Sequence, residues 1–319
     1  MSGLRGIFLF AIGVGLLPLV LQSGVWVSFI LLTLYAALLG QAWNILGGFA
    51  GQFSFGHALF FGFGAYAQAL AQMQWGINPW VAVWLAMGLA ALVGVGVGAL
   101  SFRYGLKGSY FALVTLAFAE VCRILAVSFE FTGAGVGLML PLKVSLGNLQ
   151  FADKRGYVYV LLALVVAALL VTWWLQHSRL GAYMQAVRDN DEAAQAVGVK
   201  PMPVKIWAIG LSGAFMGAAG AVYVQIYQYI DPSIAFGPHV SVEALVAAIV
   251  GGMGTLWGPI WGALVLHIVS DLTRNLFGAL PGLNMVIYGA VLVLIVMFAP
   301  RGIAGWGLHI KQAWKRSRP

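Results

Sequence analysis

The densest run of side chains able to do chemistry lies between Arg179 and Lys205, RLGAYMQAVRDNDEAAQAVGVKPMPVK. Arg188, Asp189, Asp191 and Glu192 cluster there within a turn or so of helix. Ala193, Ala194 and Ala196 then supply strong helix propensity. Gly198 stops the helix or lets it turn, and Pro201 and Pro203 prevent continuation. The chemistry on offer is recognition: small residues permit close approach by a partner, and the charges set its register. A solvated loop with incidental helix is the alternative for such a run taken alone.

Elsewhere charged side chains are scarce. Between Arg5 and Arg103 the chain has no Asp, Glu, Lys or Arg, and His57 is its one histidine. Glu120 and Arg123 stand at i, i+3, where they can pair on one helix. Ionisable groups at membrane depth are costly and face the bundle or water, so the pair either lines a path or braces the outer end of its helix. Glu243 begins an apolar run, where a carboxylate favours a helix N-terminus; capping is one role and lining a path the other. Gln52, Ser54 and His57 follow Gly47-Gly48 and Gly51. Unwound backbone there could meet the zwitterionic head of an amino acid, while helix packing through glycine explains the same segment without a ligand.

Enzyme chemistry finds little support. Gly210-Leu211-Ser212-Gly213 resembles the G-x-S-G of intramembrane serine proteases, with His267 as the distant candidate base. A Ser–His dyad needs hydrogen-bond reach and an oxyanion site. Gly213, Gly217 and Gly220, however, form a small-residue face spaced for helix packing, so no catalytic residue is assigned. The five histidines form no H-E-x-x-H or other metal-binding spacing. Cys122 is the single cysteine, which excludes an intrachain disulfide and a thiol metal cluster. The chain has no G-x-x-x-x-G-K-[ST] run with which to cradle ATP phosphates.

The elements that position these residues follow from composition. The 319 residues are 61% hydrophobic and only 8% charged, where soluble domains carry roughly 25%. A bilayer core needs about 20 apolar residues per helix. Apolar runs place spans over 5–22, 25–46, 53–73, 79–101, 108–129, 156–175, 206–229, 242–254, 257–276 and 281–299. That describes an all-α polytopic membrane protein of about ten helices (eight at the least), one domain over 1–319 with a cytoplasmic loop at 176–205. The N-terminal run mimics a secretory signal but lacks a convincing cleavage site and leads into another span, so it reads as the first helix.

With both termini inside, only Lys143, Lys154, Arg155 and Arg274 of the 17 Lys and Arg fall outside, and Arg123 falls within a span. That bias supports cytoplasmic termini and a cytoplasmic polar segment. The net charge of +8 therefore marks loop retention, not nucleic acid, and the basic tail KQAWKRSRP suits anionic lipid. Two segments read as broken helices, Gly47 to His57 and Gly251 to Gly262. Both follow a short apolar run and open with Gly-Gly, as an internal repeat would; abundant glycine is the plainer source. The segment from about Thr132 to Arg155 is the longest outside loop, read as a plain connection, with a cap over the pore or a contact with a soluble partner as the alternatives.

Five blocks carry a resemblance: GQFSFGHALFFGFGAY at 51–66, GSYFALVTLAFAE at 108–120, VRDNDEAAQAVGV at 187–199, GGMGTLWGPIWGA at 251–263 and PRGIAGW at 300–306. Glu192-Ala193-Ala194 with Gly198 is similar to the EAA loop of ABC-importer permeases. Together, over about Gln41 to Trp306, the blocks resemble LivM-type permeases of branched-chain amino-acid importers. The wider EAA pattern continues to an Ile-x-Leu-Pro that this chain lacks.

The resemblance implies a multi-pass subunit of a bacterial inner membrane with no covalent chemistry and no cofactor of its own. A LivH-like second permease would complete the pore. Two cytoplasmic ABC ATPases would bind ATP and Mg, and a periplasmic or extracytoplasmic solute-binding protein would deliver leucine, isoleucine or valine. Arg188, Asp189, Asp191, Glu192, Ala193, Ala194 and Gly198 would couple to the ATPases. Gln52, Ser54, His57, Glu120 and Glu243 are the candidates for the translocation path. Urea or another amino or aromatic acid is the alternative cargo. An ion-coupled secondary transporter and a membrane protease are the alternatives outside the class.

Overall fold

Proline and short polar side chains start most of the helices. In the computed structural model, which describes residues 2–21 and 23–277 and, beyond them, 286, 287, 289, 290, 293, 294, 297, 302 and 303, helix follows helix. α1 (Ser2–Val20), α2 (Gly24–Asn44), α3 (His57–Met73), α4 (Pro79–Arg103), α5 (Gly108–Ser128) and α6 (Lys154–His177) come first. Two shorter helices, α7 (Arg179–Asp189) and α8 (Asp191–Ala196), precede α9 (Pro201–Tyr227), α10 (Pro232–Phe236), α11 (Pro238–Gly251) and α12 (Gly258–Phe277). Asn78 caps α4, its side chain accepting from Trp80 N at 2.9 Å, and Asp231 caps α10. Proline stands in the first helical turn of α4, α9, α10 and α11, where no N–H is needed.

Among the described residues, seven stretches are long and apolar enough to cross a bilayer: Gly3–Val20, Gly24–Phe49, Pro79–Arg103, Gly108–Ser128, Lys154–His177, Pro201–Tyr227 and Pro232–Gly251. The chain is thus an all-α, multi-pass membrane protein. Among the described residues the expected count of about ten is not confirmed. α3 is only 17 residues long because the chain before it is unwound. α12 carries Asp271 and Arg274 near its end. The expected span 281–299 and the basic tail lie outside the described residues.

Helix edges also differ from those expected. α9 begins at Pro201, not 206, and α11 begins at Pro238, not 242. In each case the prolines open the next helix, since a fixed φ and a missing N–H suit the first turn.

α2 and α9 form the centre, each 67% buried over its apolar window, whereas α1 and α5 are 11% and 28% buried. α9 packs on α3 and α4 through small residues. A Cβ on Gly64 would strike the Gly217 carbonyl, and one on Gly213 would come within 2.8 Å of Ala90 O. Backbone-to-backbone approach of this kind is how helices associate in lipid, so the Gly213, Gly217, Gly220 face is a packing seam.

The connections gather at two ends. At one, the α3–α4 turn, residues 129–153 and residues 228–237 meet. Trp80 Nε1 donates to Leu146 O at 2.8 Å there. Two short strands, β1 (Leu138–Met139) and β2 (Tyr229–Ile230), pair antiparallel with Leu138 opposite Ile230. The expected plain loop is thus an ordered cap: Gln150 Oε1 accepts from Lys143 N at 2.6 Å, and its Nε2 donates to Pro141 O at 3.2 Å. The other end holds the chain after α2, the α4–α5 turn, α7 with α8, and the chain between α11 and α12.

Candidate functional site

The polar segment folds as two helices, not the single one expected. Ser178 caps α7, its Oγ accepting from Gly181 N at 3.1 Å. Asn190 then takes an extended backbone (φ −160°, ψ 113°), and its Oδ1 accepts from Glu192 N at 2.9 Å and Ala193 N at 3.0 Å. A side chain satisfying two orphan donors starts a new helix. Beyond α8, Gly198 takes φ +86°, a left-handed backbone that glycine adopts without strain.

These helices sort the candidate coupling residues by direction. Asp189, Glu192, Ala193 and Gly198 are exposed, beside Val197 at 79% exposure. Ala194 is buried. Asp191 turns inward: its Oδ2 accepts from Lys205 Nζ at 2.6 Å and lies 3.5 Å from Lys107 Nζ. The pair is nearly dry, with side-chain exposures of 6% for Lys205 and 13% for Asp191. One carboxylate therefore ties α8 to the start of α9 and to the residue before α5. Arg188 also turns inward, its Nη1 donating to Gly48 O at 3.0 Å and its Nε to Asp189 Oδ1 at 3.1 Å.

Both expected helix breaks are present, and they touch. α2 runs on into a π-helical turn, Ile45–Phe49, after which residues 50–56 are unwound until α3 starts. The second break follows Gly251, where Gly252 takes φ +121° and Thr255 Oγ1 accepts from Gly258 N at 3.0 Å to start α12. Asn44 spans the two: its Oδ1 accepts from Gly254 N at 2.7 Å, and its Nδ2 donates to Thr255 O at 3.0 Å. Gln41 Nε2 adds a bond to Leu256 O at 2.7 Å. Gly302, from the last sequence block, abuts Gly252.

The path candidates divide as well. Gln52, Ser54 and His57 are buried inside the chain's own bundle. Gln52 Nε2 donates to Ala50 O at 3.0 Å, and Ser54 Oγ lies 3.2 Å from Thr115 Oγ1. Glu120 and Arg123 pair through 2.6 Å and 2.9 Å bonds on the open face of α5. Glu243 does not cap: it is the sixth residue of α11, whose N-cap is Gly237. The helix simply begins earlier than the apolar pattern does.

Ser212 does find a histidine, though His57 and not His267. His57 Nε2 is 2.9 Å from Ser212 Oγ, and Ser212 Oγ donates to Ala42 O at 2.7 Å. With its proton committed to a carbonyl, Ser212 accepts from the imidazole, the reverse of nucleophile activation. Both side chains are fully buried, so the pair is an internal clasp. His267 Nδ1 bonds Ala263 O instead. Among the described residues, no group of three His, Cys, Asp or Glu side chains could hold a metal ion.

Gln41, Asn44, Asn190 and Lys205 were not singled out by the sequence. Asn190 was readable as a cap, since it directly precedes an acidic first turn. Nothing local marks Gln41 or Asn44, whose partners lie more than 200 residues away.

The geometry combines a multi-pass bundle, a polar helix pair at one end and two glycine breaks joined through Asn44. The chain belongs to the family described as branched-chain amino acid transport system permease component, which it matches over residues 10–296. It is 30% identical over 297 residues to the high-affinity branched-chain amino acid transport system permease protein LivM of Escherichia coli (strain K12), covering 85% of this chain and 68% of the relative. The probable branched-chain amino acid transport permease protein LivH of Methanocaldococcus jannaschii is 28% identical over 169 residues, covering 52% and 53%. The fructose import permease protein FrcC of Rhizobium meliloti is 25% identical over 235 residues, covering 70% and 63%. No solved structure matches the chain.

Proposed function

We propose that this chain is one permease subunit of an ATP-driven importer that moves branched-chain amino acids into the cytoplasm. The observation that carries the reading is the similarity to LivM along most of the chain. In this reading a LivH-like permease completes the pore. Two ABC ATPases bind ATP and Mg from below, and an extracytoplasmic solute-binding protein delivers the cargo. The end bearing α7 and α8 faces the cytoplasm in a plasma membrane, because it gathers Arg103, Lys107, Arg179, Arg188, Lys200 and Lys205. Residues 176–205 are the coupling segment of a single transmembrane domain.

The division of labour follows from direction. Asp189, Glu192, Ala193 and Gly198 meet the ATPase, with Ala193 and Gly198 allowing close approach and the two carboxylates setting register. Asp191 carries the motion inward, since Lys205 and Lys107 bind it to α9 and α5. Glu120 and Arg123 stand on the open face of α5, about 18 Å and about 22 Å along a helix that rises about 1.5 Å per residue. Ionised groups at that depth face water or protein, so this face turns toward the second permease and the solute path. Glu243 and the buried group of Gln52, Ser54 and His57 contribute by shaping the helices that flank that path.

The test is reconstitution with all partners in liposomes. Labelled leucine should enter only with ATP inside and the binding protein outside. Uptake by the chain alone under an ion gradient would overturn the reading in favour of a secondary transporter. The similarity to a fructose import permease leaves cargo open to the same assay, with the solute bound by the delivery protein deciding it.

A further inference from the structure

We infer that Arg188 is a positioning residue that couples the cytoplasmic helix pair to the first helix break and, through Asn44, to the second. The inference rests on the reading of the chain as an ATP-driven permease subunit, and it separates Arg188 from the residues that dock the ATPase.

Arg188 is the penultimate residue of α7, yet its guanidinium leaves that helix. Nη1 donates to Gly48 O at 3.0 Å. Gly48 belongs to the last turn of the long α2 stretch, where carbonyls lack an intrahelical partner and a cation is favoured. The surroundings are built for this approach. Gly51 takes φ +68°, and a Cβ there would sit 2.5 Å from Arg188 Cγ. Gly254 takes φ +71°, and a Cβ there would sit 3.0 Å from both Arg188 Nη1 and Gly48 O. A Cβ on Gly48 would come within 2.5 Å of Gly254 N. Glycines from both breaks thus leave the space that one arginine occupies.

The connection continues on each side. Outward, Arg188 is covalently next to exposed Asp189, whose carboxylate orients the guanidinium through Nε. Inward, Asn44 binds Gly254 and Thr255, so a shift of the α2 end moves the second break with it. Arg188 is only partly buried, at 37% side-chain exposure. Exposed ion pairs contribute little stability, so the Asp189 contact orients the side chain without locking it. A planar fork with several fixed donors can hold the Gly48 carbonyl while keeping that second bond, which a lysine ammonium cannot do in the same geometry. Motion of α7 and α8 against the ATPase therefore pulls or releases the end of α2 and, through Asn44, the start of α12.

The experiment uses the complete complex with both permeases, the ATPases and the binding protein, comparing wild type with Arg188→Gln, Arg188→Lys and Arg188→Ala. The readouts are ATPase co-purification, solute taken up per ATP hydrolysed, and amide exchange at residues 47–52 and 252–256. Arg188→Gln and Arg188→Ala are expected to retain the ATPases while uptake per ATP falls about tenfold, the scale of single-residue coupling changes. Exchange should quicken at both breaks, and Arg188→Lys should recover part of the loss. Unchanged uptake per ATP, or unchanged exchange at 252–256, overturns the inference. So does loss of the ATPases in Arg188→Gln, which would make Arg188 a docking residue. Should Arg188→Ala not fold, Arg188→Gln and Arg188→Lys carry the same comparison. A wild-type complex that imports without ATP instead sinks the functional reading and leaves the geometry standing.

Discussion

Asp191 shows how much rests on one side chain. Its carboxylate holds Lys205, which is 6% exposed and lies 5.7 Å from the Phe102 ring. Removing one member of a dry ion pair strands the other, typically at a cost of about 3 kcal/mol or more. Asp191→Ala should therefore lower the melting temperature of the purified subunit well beyond Lys205→Met combined with Asp191→Leu, which removes both charges. If the single and double variants melt alike, the pair is not a structural pin. Gly198 makes the opposite prediction. A Cβ there meets nothing within 4 Å, so Gly198→Ala costs only backbone strain, about 1 kcal/mol. That variant, combined with Glu192→Ala, should insert and melt near normally while uptake is lost. Surviving uptake would show that the exposed face of α8 is not where the ATPase acts. The sequence marked this cluster as a whole because its spacing is local, but not which members turn inward: Arg188 reaches a carbonyl 140 positions away, and no local pattern announces such a partner.

At the level of elements, glycine pairs marked both breaks correctly, and apolar runs located six spans to within about five residues, while the seventh, Pro232–Gly251, starts ten residues before the expected 242. What pattern alone missed was set by single backbone states. The helix pair reads as one helix when the acidic cluster is taken as a single first turn, although Asn190 suits a cap better than an interior, and its extended conformation divides the two helices. Asn190→Ala should remove a cap worth about 1 kcal/mol. Amide exchange over 191–196 should rise while exchange over 179–187 stays the same; parallel rises would mean that α7 and α8 melt as one unit. Likewise the apolar pattern placed helix starts at 206 and 242, because it weighs hydrophobicity and ignores the prolines that open α9 and α11 a few residues earlier. The small-residue seam of α9 was read correctly, since packing through glycine leaves a periodic trace. Gly217→Val should drive side-chain atoms into Ala86 and Ala90, so a monodisperse yield close to wild type would refute the seam.

For the whole molecule, the open question of burial falls on α5. Only 28% of its apolar window is buried, and Tyr110, Leu113, Val121 and Ile124 all remain exposed. On that same face lies a bidentate pair, Glu120 with Arg123. Apolar exposure alone suits lipid, whereas an ion pair well inside the span does not. The two observations agree if α5 faces another protein across a hydrated path. Three outcomes of replacing both charges, Glu120→Leu with Arg123→Leu, then separate three arrangements. If α5 faced lipid, the variant would be at least as stable, would assemble normally and would transport normally. If the pair served only to hold the second permease, the variant would lose that partner on co-purification. If the pair meets a zwitterionic solute, the variant should insert and assemble but lose uptake. Glu120→Leu alone should be worse still, because it leaves Arg123 without its counter-charge at the same depth. The expected result is the third, with wild-type assembly and uptake reduced by about tenfold or more, the scale on which a lost charge contact changes transport energetics. Normal uptake by the double variant would remove α5 from the path and leave its face to lipid.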